Sequence, residues 1–184
     1  MVLLLLKFHH NQYPDVLIMM NYIQQLHYWA KGDLLQAKIM LAWAFIFCIP
    51  LICYCFKINK IFYKGLIIPL ILLVIMLLGY GSYLLITKDK EVRKIEQQYL
   101  ENQKRIISKE HSKGKANSKS YVVFKTIWSS LLLVSIIIYL LASGMYIKGF
   151  SAGCIILFLT LSITDTLFHA RLNVYLSFLQ ELSK

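Results

Sequence analysis

Four apolar runs, each about as long as a lipid bilayer demands of a helix, constrain this chain more than any other feature. Residues 39–56, 65–87 and 126–147 contain no Asp, Glu, Lys or Arg, and residues 149–169 contain only Asp165. A helix rises about 1.5 Å per residue, so about 20 residues cross a hydrocarbon core about 30 Å thick. Hydrocarbon offers the backbone no hydrogen-bond partner, and a helix satisfies its own N–H and C=O groups within one segment. The expected fold is therefore all-α, a polytopic membrane helix bundle with four transmembrane helices. Composition excludes an ordinary soluble domain, because 58% of residues are hydrophobic, only 16% are charged and the mean hydropathy is +0.60. The four runs leave no segment that reads as a separate folded unit, so residues 1–184 are expected to form a single membrane domain.

The segments between the runs predict how the helices connect. Residues 1–18 show no continuous apolar face, and a chain starting at Met19 or Met20 is expected to do without them. Residues 19–38 read as an interfacial amphipathic helix, since Tyr22, Ile23, Leu26, Trp29 and Ala30 recur at helical spacing and Tyr and Trp settle at headgroup depth. Pro50 is expected to kink the first span. Residues 88–125 form a basic loop with eleven Lys and Arg against five Asp and Glu. Within it, residues 90–110 are expected to be helical and residues 111–120, rich in Ser, Lys and Gly, to be a flexible turn. Lys148 alone separates the third and fourth spans, which predicts a tight hairpin there. Residues 170–184 read as an amphipathic tail along the cytosolic surface, into which the helix runs on through Leu167, Arg171, Val174, Phe178 and Leu182.

Charge sets the orientation. With both termini cytosolic, sixteen Lys and Arg lie inside against four outside, at Lys57, Lys60, Lys64 and Lys148. The positive-inside rule selects that arrangement, with the 88–125 loop also cytosolic. The net charge of +11 is concentrated in this loop. No helix-turn-helix, zinc or aromatic stacking pattern accompanies it, so anionic lipid headgroups rather than nucleic acid are its expected neighbours.

Few residues carry chemistry. Cys48, Cys53, Cys55 and Cys154 lie in or beside apolar runs and lack the Cys-x-x-Cys spacing of a thiol oxidoreductase, so they read as small apolar fillers. The histidines form no i,i+4 pair and no metal-ligating cluster, and neither a metal nor a cofactor is expected. Asp165 and His169 stand four residues apart on one helix face, where the carboxylate can orient the imidazole. They read as an interfacial anchor or a recognition element. The other spans hold no carboxylate or histidine to complete a catalytic set, so an enzyme is not expected. Gly149 and Gly153 form a small-xxx-small pair, which favours close approach of a second helix and marks them, with Asp165 and His169, as candidate partner-binding residues.

A short chain, four apolar spans, small-residue contact faces and no catalytic set together resemble, at the level of class, the small polytopic immunity proteins that guard bacterial inner membranes against pore-forming bacteriocins and secreted effectors. The resemblance spans the whole chain without a diagnostic motif. It implies a multi-pass inner-membrane protein that binds a toxin's inserted helices and needs no cofactor. A structural or assembly subunit of a membrane complex is the alternative reading, ahead of a small membrane enzyme or transporter. The implied partners are the bilayer and either a pore-forming toxin or other membrane subunits.

Overall fold

A computed structural model describes residues 2–182, with side chains from Met19 onward, so the expectations for residues 1–18 and for the last two residues of the tail fall outside the described side chains. All the described elements are helical: α1 (Val2–Trp43), a π-helical segment (Ala44–Cys48), α2 (Ile49–Ile58), α3 (Ile61–Glu101), α4 (Gln103–Leu141) and α5 (Met145–Leu182). The four antiparallel rods are α1 running on into α2, then α3, α4 and α5. All four are long and apolar enough to cross a membrane, the arrangement of a multi-pass membrane protein.

The rods are twice as long as a bilayer is thick. The 41 residues of α3 extend about 60 Å, where about 30 Å would span the hydrocarbon. The remaining length builds a second half to the bundle, with its own core. In the apolar half Met40, Leu66, Leu70, Leu73, Leu77, Leu157 and Leu161 pack together; in the polar half Tyr22, Leu26, Val92, Ile95, Tyr99, Ile106, Tyr175 and Leu179 do so. Tyr22 stacks on Tyr99 with ring centroids 4.2 Å apart, and Trp29 on Tyr175 at 4.7 Å.

The helices correct four expectations. Residues 19–38 do not form a separate helix ahead of the first span, because α1 is unbroken and Tyr22, Leu26 and Ala30 are covered by protein. The face that reads as lipid-seeking is a bundle face. The turn expected at 111–120 is helix; the chain reverses instead at Asn102, whose extended backbone ends α3 and whose side-chain oxygen accepts the Arg105 amide at 3.1 Å to cap α4. Gly114 is a packing position, with a Cβ there meeting Leu176 Cδ2 at 2.7 Å. The hairpin between the last two spans turns at residues 142–144, one helical turn before Lys148, which already belongs to α5. Finally, the tail buries Phe168, Leu172, Tyr175 and Leu179 and exposes Leu167 and Val174. Two adjacent apolar stripes run along this helix, and the neighbouring helices cover the one through Phe168, Leu172, Tyr175 and Leu179.

At the other turn Asn59 takes the left-handed conformation, φ 49° and ψ 22°, that an Asn C-cap tolerates. The π-helical segment sits immediately before Pro50, at the start of α2. Proline has no N–H for the preceding turn and crowds its carbonyl, and the wider π turn accommodates both.

The cross-section is a diamond. On its short diagonal α3 and α5 press backbone to backbone, since a Cβ at Gly149 would fall 1.8 Å from the Phe62 carbonyl oxygen and one at Gly65 would fall 2.2 Å from that of Tyr146. On the long diagonal, among the described residues, no Cα atom of α1 comes within 8 Å of one of α4. Of the four edges, α1 against α3 and α4 against α5 are closely packed, whereas α1–α5 and α3–α4 are sparse. Small residues on the short diagonal thus open two gaps between helices.

Candidate functional site

The residues singled out from the sequence are brought to different places. Gly149 and Gly153 are buried in the α3–α5 contact, where a Cβ on Gly153 would lie 3.0 Å from the Leu66 carbonyl oxygen and from Pro69. The close approach that this pair invites is made within the chain, so neither glycine offers a face to a partner. The pattern announces a contact without saying which helix fills it.

Asp165 and His169 lie on one face of α5, but each is held by α4 and they do not bond to each other. Trp128 Nε1 donates to Asp165 Oδ2 at 2.8 Å. His169 Nδ1 is 2.9 Å from Lys125 Nζ, and Nε2 is 2.9 Å from Ser118 Oγ, which donates onward to Asn173 Oδ1 at 3.2 Å. An ammonium can only donate, so the partners assign the lone pair to Nδ1 and the proton to Nε2. The expected carboxylate–imidazole couple is therefore replaced by two separate α4–α5 links. Both ring nitrogens are engaged.

Just beyond the apolar half, a layer of charge that the sequence reading passed over joins all four rods, buried at Asp33, Lys88 and Glu110 and partly exposed at Arg171, Glu91 and Lys113. Lys88 Nζ lies 2.9 Å from Asp33 Oδ2, with both side chains more than nine-tenths buried, and 3.4 Å above the Trp29 ring. Arg171 donates to the Gly32 carbonyl and, at 2.5 Å, to Gln36 Oε1, and its guanidinium stands 3.7 Å from Asp33 Oδ1. Gln36 in turn donates to the Thr164 carbonyl at 2.9 Å. Glu91 accepts from Lys113 at 2.5 Å and faces Lys88 at 3.5 Å. Glu110 is also buried, yet among the described residues it has neither a hydrogen bond nor an ion pair. One signal for this layer exists in the sequence. Lys88 falls on the stripe Leu77, Gly81, Leu84, Val92, Ile95, Tyr99 that α3 buries, and Asp33 on the stripe Tyr22, Leu26, Ala30, Ala37, Met40 of α1. A charge in register with an apolar face is either an error of folding or the mark of a buried partner.

Both sparse edges of the diamond hold cavities. The larger, about 720 Å³, is a groove between α3 and α4 floored by Leu161 and Asp165 of α5 and walled by Ile75, Tyr80, Phe124 and Trp128. At its polar end Tyr80, Tyr83, Asn117 and Tyr121 also line a chamber of about 210 Å³ that reaches Asp33, Lys88, Glu91, Glu110 and Lys113. A third cavity, about 590 Å³, lies between α1 and α5 beside Tyr28, Gly32 and Arg171. Among the described residues no three His, Cys, Asp or Glu side chains gather as metal ligands would. Three of the cysteines are buried and Cys53 is exposed, none of them in a disulfide.

No protein-family model, curated protein or solved structure matches this chain.

Proposed function

We propose that this chain is an immunity-type protein of a bacterial inner membrane, which binds the membrane-inserted helices of a pore-forming toxin or effector and keeps the pore from opening. The termini and the polar half of the bundle face the cytosol, in keeping with the sixteen-to-four division of Lys and Arg. The observation that carries the reading is the bareness of α4. It packs closely on α5, meets α3 only sparsely and leaves Leu133, Val134, Ile137, Leu140 and Leu141 uncovered. Lipid tails are as apolar as leucine, so a second helix gains there by packing and shape rather than by escape from water. A helix held along one side presents the longest face for such packing. Recognition of this kind makes and breaks no bond and needs no cofactor.

The test is protection. Cells expressing the chain are challenged with the toxin encoded beside it, and membrane potential is followed with a voltage-sensitive dye. Expected is a retained potential with an unchanged amount of toxin, and loss of protection in Leu133→Ala/Leu140→Ala, whose residues support no core contact. Equal depolarisation with and without the chain refutes the proposal. Neighbouring genes for a biosynthetic or respiratory complex, with deletion harming that pathway alone, would assign it to the assembly-subunit alternative.

A further inference from the structure

The sparse α1–α5 edge carries a pocket at the level where the apolar half of the bundle gives way to the polar half. We infer that it binds an anionic phospholipid of the leaflet beside the polar half, with the phosphate between Lys31 and Arg171 and an acyl chain along the crevice. The inference uses a different surface from the bare face of α4. It needs only that the bundle spans a membrane, so it stands apart from the immunity reading.

The crevice supplies the apolar part. The cavity measures about 590 Å³, within the range of about 300–1,000 Å³ in which small-molecule sites occur. Leu35, Ala170 and Val174 line it, and Leu35 and Val174 are exposed. One turn farther toward the apolar half, Ile39 follows Leu35 on the same side of α1, while Leu167 and then Ile163 precede Arg171 on one side of α5. All three are exposed, because two helices that meet sparsely leave their flanking apolar stripes uncovered. An acyl chain suits a crevice that runs from a pocket at head-group depth into the hydrocarbon.

The charges select the head group. Lys31 and Arg171 line the cavity and, among the described residues, no carboxylate does. The charged layer behind it is balanced, with Asp33, Glu91 and Glu110 against Lys88, Lys113 and Arg171, so Lys31 is a cation beyond that balance. Lys31 is exposed and, among the described residues, has neither a hydrogen bond nor an ion pair. Arg171 is fixed across the gap by donating to the Gly32 carbonyl and to Gln36 Oε1. Gly32 permits this crossing, since a Cβ there would fall 2.9 Å from Arg171 Cδ. Those two bonds leave further guanidinium N–H groups on a side chain that is still 30% exposed. A guanidinium held in place is a ready fork for phosphate oxygens, and basic pockets between membrane helices take up anionic head groups. Tyr28, exposed on the same rim, adds a hydroxyl donor. A zwitterionic head group would bring its own ammonium toward Lys31, and that repulsion gives the selectivity.

The experiment uses the full chain purified in detergent, with native mass spectrometry reading retained lipid after addition of phosphatidylglycerol or phosphatidylethanolamine. Phosphatidylglycerol is expected to stay bound and phosphatidylethanolamine to be lost. Lys31→Gln removes a charge from an exposed position and should weaken phosphatidylglycerol retention about fivefold, the worth of one basic side chain beside anionic lipid. Lys104→Gln makes the same change of charge at an exposed position beside the Asn102 turn and should leave retention as it was. Ala170→Phe fills the pocket without altering charge and should abolish retention; should it fail to fold, the two lysine variants decide the matter. Arg171 is left in place because it ties α1 to α5. Equal retention of the two lipids, equal effects of Lys31→Gln and Lys104→Gln, or wild-type retention by folded Ala170→Phe overturns the inference. Displacement of the lipid by excess inorganic phosphate overturns it as well, because the acyl chain would then play no part in binding.

Discussion

Gly149→Ala adds one methyl group at the tightest crossing in the molecule. The new carbon would sit 1.8 Å from the Phe62 carbonyl oxygen and 2.7 Å from its carbonyl carbon, both inside the 3.0 Å that real Cβ contacts respect, and 3.1 Å from its Cα. All three are backbone atoms, so no rotamer change relieves the clash, and α3 and α5 must part by more than 1 Å. Separation there loosens Leu66, Ile67 and Cys154, which are buried on either side of the crossing. Overpacking typically costs about 1–3 kcal/mol, and a backbone collision belongs at the upper end. For a chain of this size each kcal/mol lowers the melting temperature by about 2–4 °C, so a fall of about 6–12 °C is expected. Thermal unfolding of a fluorescent-protein fusion in detergent, read by size-exclusion chromatography, measures it. Gly79→Ala is the control, because its Cβ meets nothing within 4 Å and its melting should equal or, through alanine's higher helix propensity, slightly exceed that of the wild type. If Gly149→Ala melts with Gly79→Ala, the helices are farther apart than described and the diamond cross-section is wrong.

Three further perturbations probe the rest of the fold. Lys88→Met leaves Asp33 without its close partner in a buried layer and should destabilise by about 3–5 kcal/mol, while Asp33→Leu/Lys88→Met should recover most of that loss; a double variant as unstable as the single one would refute the pairing. Trp128→Phe leaves Asp165 without its indole donor and should lower the melting temperature, whereas Asp165→Asn retains an acceptor oxygen and should preserve abundance; the opposite ranking would show that the Trp128–Asp165 link is not what holds α4 to α5. A cytosolic reporter inserted at Asn102 should be active and one at Ser143 silent, since these are the turns at opposite ends of the bundle; a reversed pattern would invert the proposed orientation.

The sequence by itself determined that the fold is all-α and that four helices are apolar enough to span a membrane, because length and hydropathy are local properties. A run without charge in 65–87 has one stable conformation in lipid whatever its neighbours are. Only the tertiary structure decided which face of each helix turns inward and how far each rod continues. The α5 stripe through Phe168 and Leu172 and the one through Leu167 and Val174 are nearly equal in apolar content, and the choice between them depends on where α3 and α4 lie. The same holds for Gly149 and Gly153, whose spacing marks a close approach but not its partner, and for the reversal at Asn102 rather than at Gly114, which follows from where α3 and α4 meet α5. Asp33, Lys88 and Arg171 stand as separate charges along the chain, 55 and 83 residues apart, and become one layer around the buried Asp33–Lys88 pair only once helix register brings them to the same level. Local composition thus selects the elements, and contacts between residues far apart in the chain select the faces, the turns and the site.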